Sequence, residues 1–307
     1  MPSFGRFSMD NAERLVFAID RPVLRRALQR AAPHYDRAAI VQREIGGRLL
    51  ERLELIDLKP TVILDLGCGT GATTALLLKK YRRAQVIGLD LASALVAAAR
   101  KRAPWLHSLH GVVGEPDLLP LTSGSCDLIF SNLILQWCGD LGPVFAEFRR
   151  VLKPGGVLLF STLGPDTLNE LRQSWRVVDS HSHVNAFMDL HDIGDSLMQA
   201  GLAGPVMDVE RLTLTYSQLD RLLRDLKDLG ATNVTVGRPR GLTGKARWQA
   251  MQSAYEKLRR ADGLLPVTCE VVYGHAWGPS VQQGHPRKSG VAVFPLTRLR
   301  QGIQKSL

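Results

Sequence analysis

The stretch VILDLGCGTGATTALLLKKYRRAQVIGLDLASALVAAARK, residues 62–101, places three glycines directly after a short run of apolar residues. The segment "TVILDLG" predicts a strand and "ATTALLLKKY" a helix, and "AQVIGLDL" and "ASALVAAARKRA" repeat the pair. A glycine-rich turn at the carboxyl end of the first strand is where open α/β sheets bind ligands. This stretch therefore predicts both the fold class and the position of a ligand site.

The same alternation continues down the chain. The segments "CDLIFSNLIL", "LGPVFAEFRRVLKP" and "GVLLFSTLG" predict strand, helix and strand, and "VMDVERLTLTY" and "CEVVYGHAWG" predict two further strands. Strands separated by helices of this length indicate a doubly wound α/β sheet that is mostly parallel.

The segments outside this alternation suggest a division of the chain. Residues 1–58 are predicted to form a helical lid of two amphipathic helices, separated near His34–Asp36 because Pro33 breaks the helical pattern. We expect residues 59–280 to form the main domain, with a basic helical insertion at 217–267 before the last strand. The tail, 281–307, is expected to be flexible.

Composition excludes several classes of protein. The chain has 307 residues and is 45% hydrophobic, enough for a substantial core. Its longest apolar runs fall well short of the roughly 20 residues that span a bilayer. The four cysteines form no CxxC pair and the histidines have no metal-ligand spacing, so we expect neither a disulfide framework nor a metal site. The N-terminus lacks the features of a secretory signal, and we expect a cytoplasmic protein.

The positive charge lies at one end of the chain. The formal net charge is +10, and residues 221–307 contain 15 Lys and Arg against 5 Asp and Glu. Such an excess either solvates a surface or docks an acidic partner.

The residues around the glycine turn favour one class of ligand. Gly67, Gly69 and Ala72 loosely satisfy a dinucleotide fingerprint. However, Asp65 would repel a pyrophosphate, whereas it would attract the ammonium of a methionine moiety, and Gly71 adds a third glycine to the turn. We therefore predict S-adenosylmethionine.

Residues after the next two strands complete this prediction. Asp90, which ends the second strand, can accept hydrogen bonds from both ribose hydroxyls. Leu91 would lie beside the adenine, and Glu115 can serve the adenine amino group.

Several motifs carry a resemblance to a known family. The segments "DLGCGTG", "GLDL", "LPL", "CDLIFSNLILQW" and "RVLKPGG" occur in the order and spacing of class I S-adenosylmethionine-dependent methyltransferases, which implies a seven-stranded sheet. From about Val23 to Pro279 the chain resembles the malonyl-[acyl-carrier protein] O-methyltransferases of biotin synthesis. The particular segments are "RRALQRAAPHYDRAAIVQRE", "FSTLGPDTLNELR", "HVNAFMDLHDIGDSL" and "YGHAWGP".

The resemblance implies methylation of the free carboxyl of a malonyl thioester on an acidic acyl-carrier protein. A carboxylate is ionised at neutral pH, so we expect no general base. Tyr35 in the lid, and His183 and Asn185 in the particular segment, are expected to position the substrate. Gln42 and Asn132, together with Tyr35, are also expected to contact the cofactor. Gln136 and Trp137 are expected to contact the substrate.

Partners follow from the same resemblance and from the charge. We predict that the carrier protein docks on Arg238, Arg240 and Arg247 of the insertion, and we expect a monomer that binds neither nucleic acid nor membrane. Two alternatives stay open at this point. One is a relative of the same fold that hydroxylates an arginine as an assembly factor, and the other is a nucleic-acid methyltransferase, which only the charge suggests.

Overall fold

The computed structural model describes residues 18–104 and 109–279. The predicted flexible tail at 281–307 and the first 17 residues of the predicted lid therefore lie outside the described residues.

Within the described residues, seven strands form one mixed sheet in the order β3-β2-β1-β4-β5-β7-β6. The strands are β1 (Val62–Leu66), β2 (Gln85–Asp90), β3 (Leu109–Val113), β4 (Cys126–Asn132), β5 (Leu152–Leu163), β6 (Ala203–Tyr216) and β7 (Leu265–Trp277). The first five are parallel to one another, and β7 runs antiparallel between β5 and β6. The predicted doubly wound, mostly parallel fold is confirmed.

Helices cover both faces of this sheet. They are α1 (Arg21–Ala31), α2 (Tyr35–Ala38), α3 (Ile40–Leu53), α4 (Ala72–Lys80), α5 (Ser93–Arg102), α6 (Leu141–Val151), α7 (Asn169–Arg176), α8 (Leu190–Gln199), α9 (Leu219–Asp228) and α10 (Lys245–Glu256). None of these helices is both long enough and apolar enough to cross a membrane.

The central strands are continuous apolar runs in the sequence because both of their faces are buried in the core. Ile63 and Leu64 of β1 and Ile129 and Phe130 of β4 are all 0% exposed. A strand in the middle of a parallel sheet is buried on both faces because helices lie on each side. The carboxyl ends of β1, β2 and β4 consequently meet at one edge, beneath the lid.

The N-terminal lid differs from the prediction in one respect. Two helices were predicted, but a third, α2, occupies the break between them. Asp20 caps α1 by accepting a hydrogen bond from the Val23 amide, and Pro22 stands in the first turn. After Pro33 the chain resumes a single helical turn, closed by the hydrogen bond from Ala39 N to Tyr35 O at 2.9 Å.

The insertion has a small core of its own. Leu219 and Leu222 of α9 pack in one cluster with Met251 and Tyr255 of α10 and with Trp175 of α7. The insertion spans residues 217–264, because β7 already begins at Leu265. It therefore lies next to α7 and forms one side of the space above the sheet edge.

Candidate active site

The glycine turn after β1 has a backbone that favours glycine at three positions. Gly67, Gly69 and Gly71 have φ angles of 76°, 52° and 81°. A β-carbon on Gly67 would lie 1.7 Å from Ile134 Cγ1, and one on Gly71 would lie 2.7 Å from Ala99 Cα. The turn is thus left-handed and closely packed, as the sequence pattern indicated.

A buried carboxylate stands on each of the two neighbouring strands. Asp90 Oδ2 accepts a hydrogen bond from Gly69 N at 3.0 Å, and Asp90 Oδ1 accepts one from Ala92 N at 3.0 Å. Burial raises the pKa of Asp90 to about 6, although these backbone donors oppose the shift. Asp90 therefore anchors the turn while keeping further lone pairs for hydroxyl donors.

Of the two carboxylates, Asp65 is the one whose ionised form is destabilised more by its surroundings. Its side chain is 1% exposed and accepts a hydrogen bond from Thr74 Oγ1 at 2.5 Å. Burial raises the pKa of Asp65 to about 7; the Thr74 bond lowers it, and the charge of Asp90 raises it further. No cationic side chain among the described residues forms an ion pair with it within 4.0 Å. Such a carboxylate is stabilised by an arriving cation.

Adjoining cavities meet at Gly67. The largest of the three that share Gly67 has a volume of about 340 Å³ and reaches from the glycine turn to the underside of the insertion. A small lobe lies on the Asp65 side, lined by Tyr35, Gln42 and Asn132. Another lies on the Asp90 side, lined by Leu91 and Glu115. The predicted cofactor residues are thereby brought together around one turn.

Tyr35 lies over the turn because α2 is fastened to it. Thr70 Oγ1 donates to Asp36 Oδ1 at 2.5 Å, and Arg102 forms an ion pair with the same carboxylate. Tyr35 Cε1 then lies 3.7 Å from where a β-carbon on Gly69 would be. Burial, together with the charges of Asp90 and Asp36, raises the pKa of Tyr35. The phenol is protonated at neutral pH and can only donate or accept a hydrogen bond there.

Gln42 and Asn132 join the lid to the sheet. Asn132 Nδ2 donates to Gln42 O at 2.9 Å, and its Oδ1 accepts from Ser161 Oγ at 2.8 Å. The side-chain oxygen of Gln42 is buried and has no hydrogen-bond partner among the described residues. Gln42 thus presents an acceptor at the wall of the cavity, whereas the amide of Asn132 is already bound on both sides.

Glu115 has two partners that the sequence did not reveal. Its two carboxylate oxygens form ion pairs with Arg21 and Arg25 of α1, and Arg21 also pairs with Asp117. Glu115 therefore closes the lid over the Leu91 lobe. Its contact with an adenine stays a prediction.

The predicted substrate residues line the 340 Å³ cavity above the glycine turn. Gln136 and Trp137 belong to a single 3-10 turn after β4. Gln136 Nε2 donates to Leu133 O at 2.7 Å, and its Oε1 accepts from Thr162 Oγ1 at 3.2 Å. Their roles toward a substrate stay predictions, since the amide of Gln136 already has protein partners.

His183 and Asn185 are held by protein contacts at the far end of this cavity. His183 Nε2 lies 2.8 Å from Asp179 Oδ1, and the ring stacks on Trp175 with centroids 3.8 Å apart. Asn185 Oδ1 accepts from Val234 N at 3.1 Å, and its Nδ2 donates to Thr232 O at 3.3 Å. Asn185 therefore fixes the insertion loop to the wall. Direct contact of either residue with a substrate stays a prediction.

The three arginines predicted to dock a carrier protein are not equivalent. Arg238 pairs with Asp20 at 3.0 Å, donates to Thr235 O at 2.8 Å and has a side chain only 18% exposed. It is a connector between lid and insertion, so its assignment to an exposed docking surface is wrong. Arg247 lies 3.8 Å from Asp179, and Arg240 is exposed.

The polar residues of the segment "GPDTLNELR" hold the cavity wall together through hydrogen bonds. Sequence reasoning missed this role. Glu170 accepts hydrogen bonds from Thr268 N and Oγ1, and Thr167 Oγ1 donates to Glu270 O. Arg172 donates to the backbone oxygens of Pro165, Thr167 and Asn185. The density of polar residues in an otherwise helical run was the available signal, but the partners of Glu170 and Thr167 are about 100 residues away.

The residues around the glycine turn fit S-adenosylmethionine. Asp65 lacks a counter-ion among the described residues, Gln42 offers an unused acceptor, and Gly69 leaves room where a side chain would intrude. These features suit a ligand with an ammonium group and a hydroxylated ribose. Among the described residues, no group of three or more His, Cys, Asp or Glu side chains converges as a metal site.

Comparison with known proteins agrees with this geometry. Residues 64–160 match the family model of a methyltransferase domain. Protein BH2331 of Bacillus halodurans C-125 has the same fold, with a TM-score of 0.55 and 16% identity over 76% of this chain and 100% of that one.

Two relatives in sequence are much more similar. A protein of Gallionella capsiferriformans (strain ES-2) is 52% identical over 270 residues, 86% of this chain and 93% of the relative. A protein of Nitrosospira multiformis is 47% identical over 302 residues, 93% of this chain and 96% of the relative. Both bear the name malonyl-[acyl-carrier protein] O-methyltransferase.

Proposed function

Because the chain belongs to the malonyl-[acyl-carrier protein] O-methyltransferase family, we propose that it transfers a methyl group to the free carboxyl of a malonyl thioester on an acyl-carrier protein. The product is the malonyl methyl ester, which the resemblance places at the start of biotin synthesis. When bound, S-adenosylmethionine supplies a methyl group on a positively charged sulfur and leaves as S-adenosylhomocysteine.

One observation supports this function above all. The cavity that is lined by Gly67, Gly69 and Asp90 continues to Leu171 and Leu222 under the insertion. Donor and acceptor can therefore occupy one chamber, and its wall includes the apolar side chains of Leu171 and Leu222. An apolar wall removes water from an acceptor carboxylate, and a fixed chamber holds it close to its reaction partner, at about 3 Å.

The carboxyl ends of the strands bind the donor. Asp65 forms an ion pair with the ammonium, and the side-chain oxygen of Gln42 accepts a hydrogen bond. Asp90 accepts hydrogen bonds from the ribose hydroxyls. Because the folded protein raises the pKa of Asp65 to about 7, an arriving ammonium also favours the ionised form of this side chain.

The acceptor side needs positioning and no proton transfer. A malonyl carboxyl is ionised at neutral pH, so its oxygen is already nucleophilic. Tyr35, whose pKa is raised by burial, keeps its proton and donates a hydrogen bond that orients the acceptor. Gln136, Trp137 and the His183 region form the remaining wall.

A transfer assay with labelled S-adenosylmethionine tests the proposal. We expect label on malonyl carrier protein, less on malonyl-coenzyme A, and none on RNA or on acetyl carrier protein, which has no free carboxyl. Label on RNA with none on either malonyl thioester would contradict the proposed function.

A further inference from the structure

Helix α9 has two chemically different faces. Its inner side presents Leu222, Leu223 and Leu226 to the large cavity. Its exposed side carries Arg221, Arg224 and Lys227 at intervals of three residues, with Asp220 at the end farthest from Lys227. One helix thus forms the wall of the chamber and a basic outer stripe, defined here as Arg221, Arg224 and Lys227.

The positive charges of the basic outer stripe are not paired within the part of the protein that the structure describes, whereas two neighbouring acidic side chains have partners. None of its three residues forms an ion pair with another described residue within 4.0 Å. Asp225 and Asp228 of the same helix turn toward the protein, where Asp225 accepts from Tyr216 OH at 3.1 Å and Asp228 pairs with Arg37 at 2.9 Å. The solvent side of α9 is therefore positive.

The large cavity opens next to this stripe. Among the described residues that line the cavity, only Lys227 and Thr232 are exposed, and all the others are buried or half-buried. Lys227 lies in the last turn of α9, and Thr232 lies in the loop that follows it. The exposed part of the cavity lining is therefore beside the stripe.

We propose that the basic outer stripe docks the acidic acyl-carrier protein, so that its thioester arm enters the cavity between Lys227 and Thr232. This inference rests on the proposed function. Opposite surface charges steer encounter and raise the association rate, and salt screens them over about 8–10 Å. Docking on the outer face of α9 places the arm at the opening that the inner face of the same helix lines.

A charge-reversed variant tests the docking surface. The double variant Arg221→Glu/Arg224→Glu leaves Lys227 in place and alters no residue that lines the cavity. The control Arg82→Glu/Arg83→Glu makes the same change of charge at exposed residues of the α4–β2 connection, at the opposite edge of the sheet. Both variants are assayed with malonyl carrier protein and with malonyl-pantetheine, which carries neither protein nor phosphate.

We expect the α9 variant to raise the KM for malonyl carrier protein by at least about tenfold at low salt, since steering changes association rates by 10–10³. Its kcat/KM for malonyl-pantetheine should stay within twofold of the parent, and the control should match the parent on both substrates. Equal use of the carrier substrate by the α9 variant and the control would overturn the docking surface. A parent enzyme that methylates neither malonyl substrate would instead refute the proposed function.

Discussion

Asp90 Oδ2 accepts a hydrogen bond from the backbone amide of Gly69 at 3.0 Å, so the end of β2 and the turn after β1 form one unit. The carboxylate that would bind a ribose also fixes the loop that would surround the donor. Binding and loop conformation are therefore coupled through a single side chain.

Asp90→Ala removes the acceptor for both ribose hydroxyls and for two backbone amides. Hydrogen bonds to a charged group are worth roughly 1.5–3 kcal/mol each, so S-adenosylmethionine should bind at least about tenfold more weakly. Isothermal calorimetry checks this, with circular dichroism to show that the variant is folded. Unchanged affinity would contradict the placement of the ribose at Asp90.

Asp65 should make both stability and binding depend on pH. Its folded pKa of about 7 lies above the usual 3.8, so the folded state holds a proton that the unfolded chain releases between these values. The free energy of unfolding should therefore fall as pH rises through this window and level off above about 7. Affinity for S-adenosylmethionine should rise over the same range as the carboxylate ionises.

Asp65→Asn separates these two effects. The amide can still accept the hydrogen bond from Thr74, but it carries no charge to desolvate. At pH 8 the variant should melt a few degrees higher than the parent, since about 1 kcal/mol corresponds to roughly 2–4 °C for a domain of this size. It should bind S-adenosylmethionine more weakly. A lower melting temperature at pH 8 would refute the electrostatic strain assigned to Asp65.

The sequence was sufficient for the features that local chemistry determines. The alternation of strands and helices predicted the sheet, and the spacing of Gly67, Gly69 and Asp90 predicted which residues meet at its edge. The partners of Arg238 and Glu115 could not be predicted, because both lie in a lid far away along the chain. The short helix α2 also escaped prediction, since its position depends on the contact of Asp36 with Thr70.

Tyr35→Phe should lower turnover more than stability. Loss of one hydrogen bond to the acceptor corresponds to about 1 kcal/mol, or several-fold in kcat. Tyr255→Phe is the matched control, because the Tyr255 hydroxyl donates to Pro266 O at 2.9 Å within the insertion core. That variant should melt earlier and retain its turnover. The reverse pattern would make Tyr35 a packing residue.

Arg238→Glu should destabilise the protein, because it places a second carboxylate beside Asp20 and breaks the connection between lid and insertion. Arg240→Glu, at an exposed neighbour, changes the charge equally but breaks no ion pair among the described residues, so it should lower the melting temperature much less. Thermal melts of the two variants, side by side, check this prediction. Equal melting temperatures would show that the pair with Asp20 contributes nothing to stability.

Intact-protein mass spectrometry of malonyl carrier protein tests the proposed methyl transfer most directly. After incubation with the enzyme and S-adenosylmethionine, we expect its mass to increase by one methylene, with fragmentation placing the gain on the malonyl carboxyl as an ester. The Asp90→Ala variant should give little or none of this product under the same conditions. An unchanged mass, with calorimetry showing that the parent enzyme binds S-adenosylmethionine, would contradict methylation of the malonyl carboxyl.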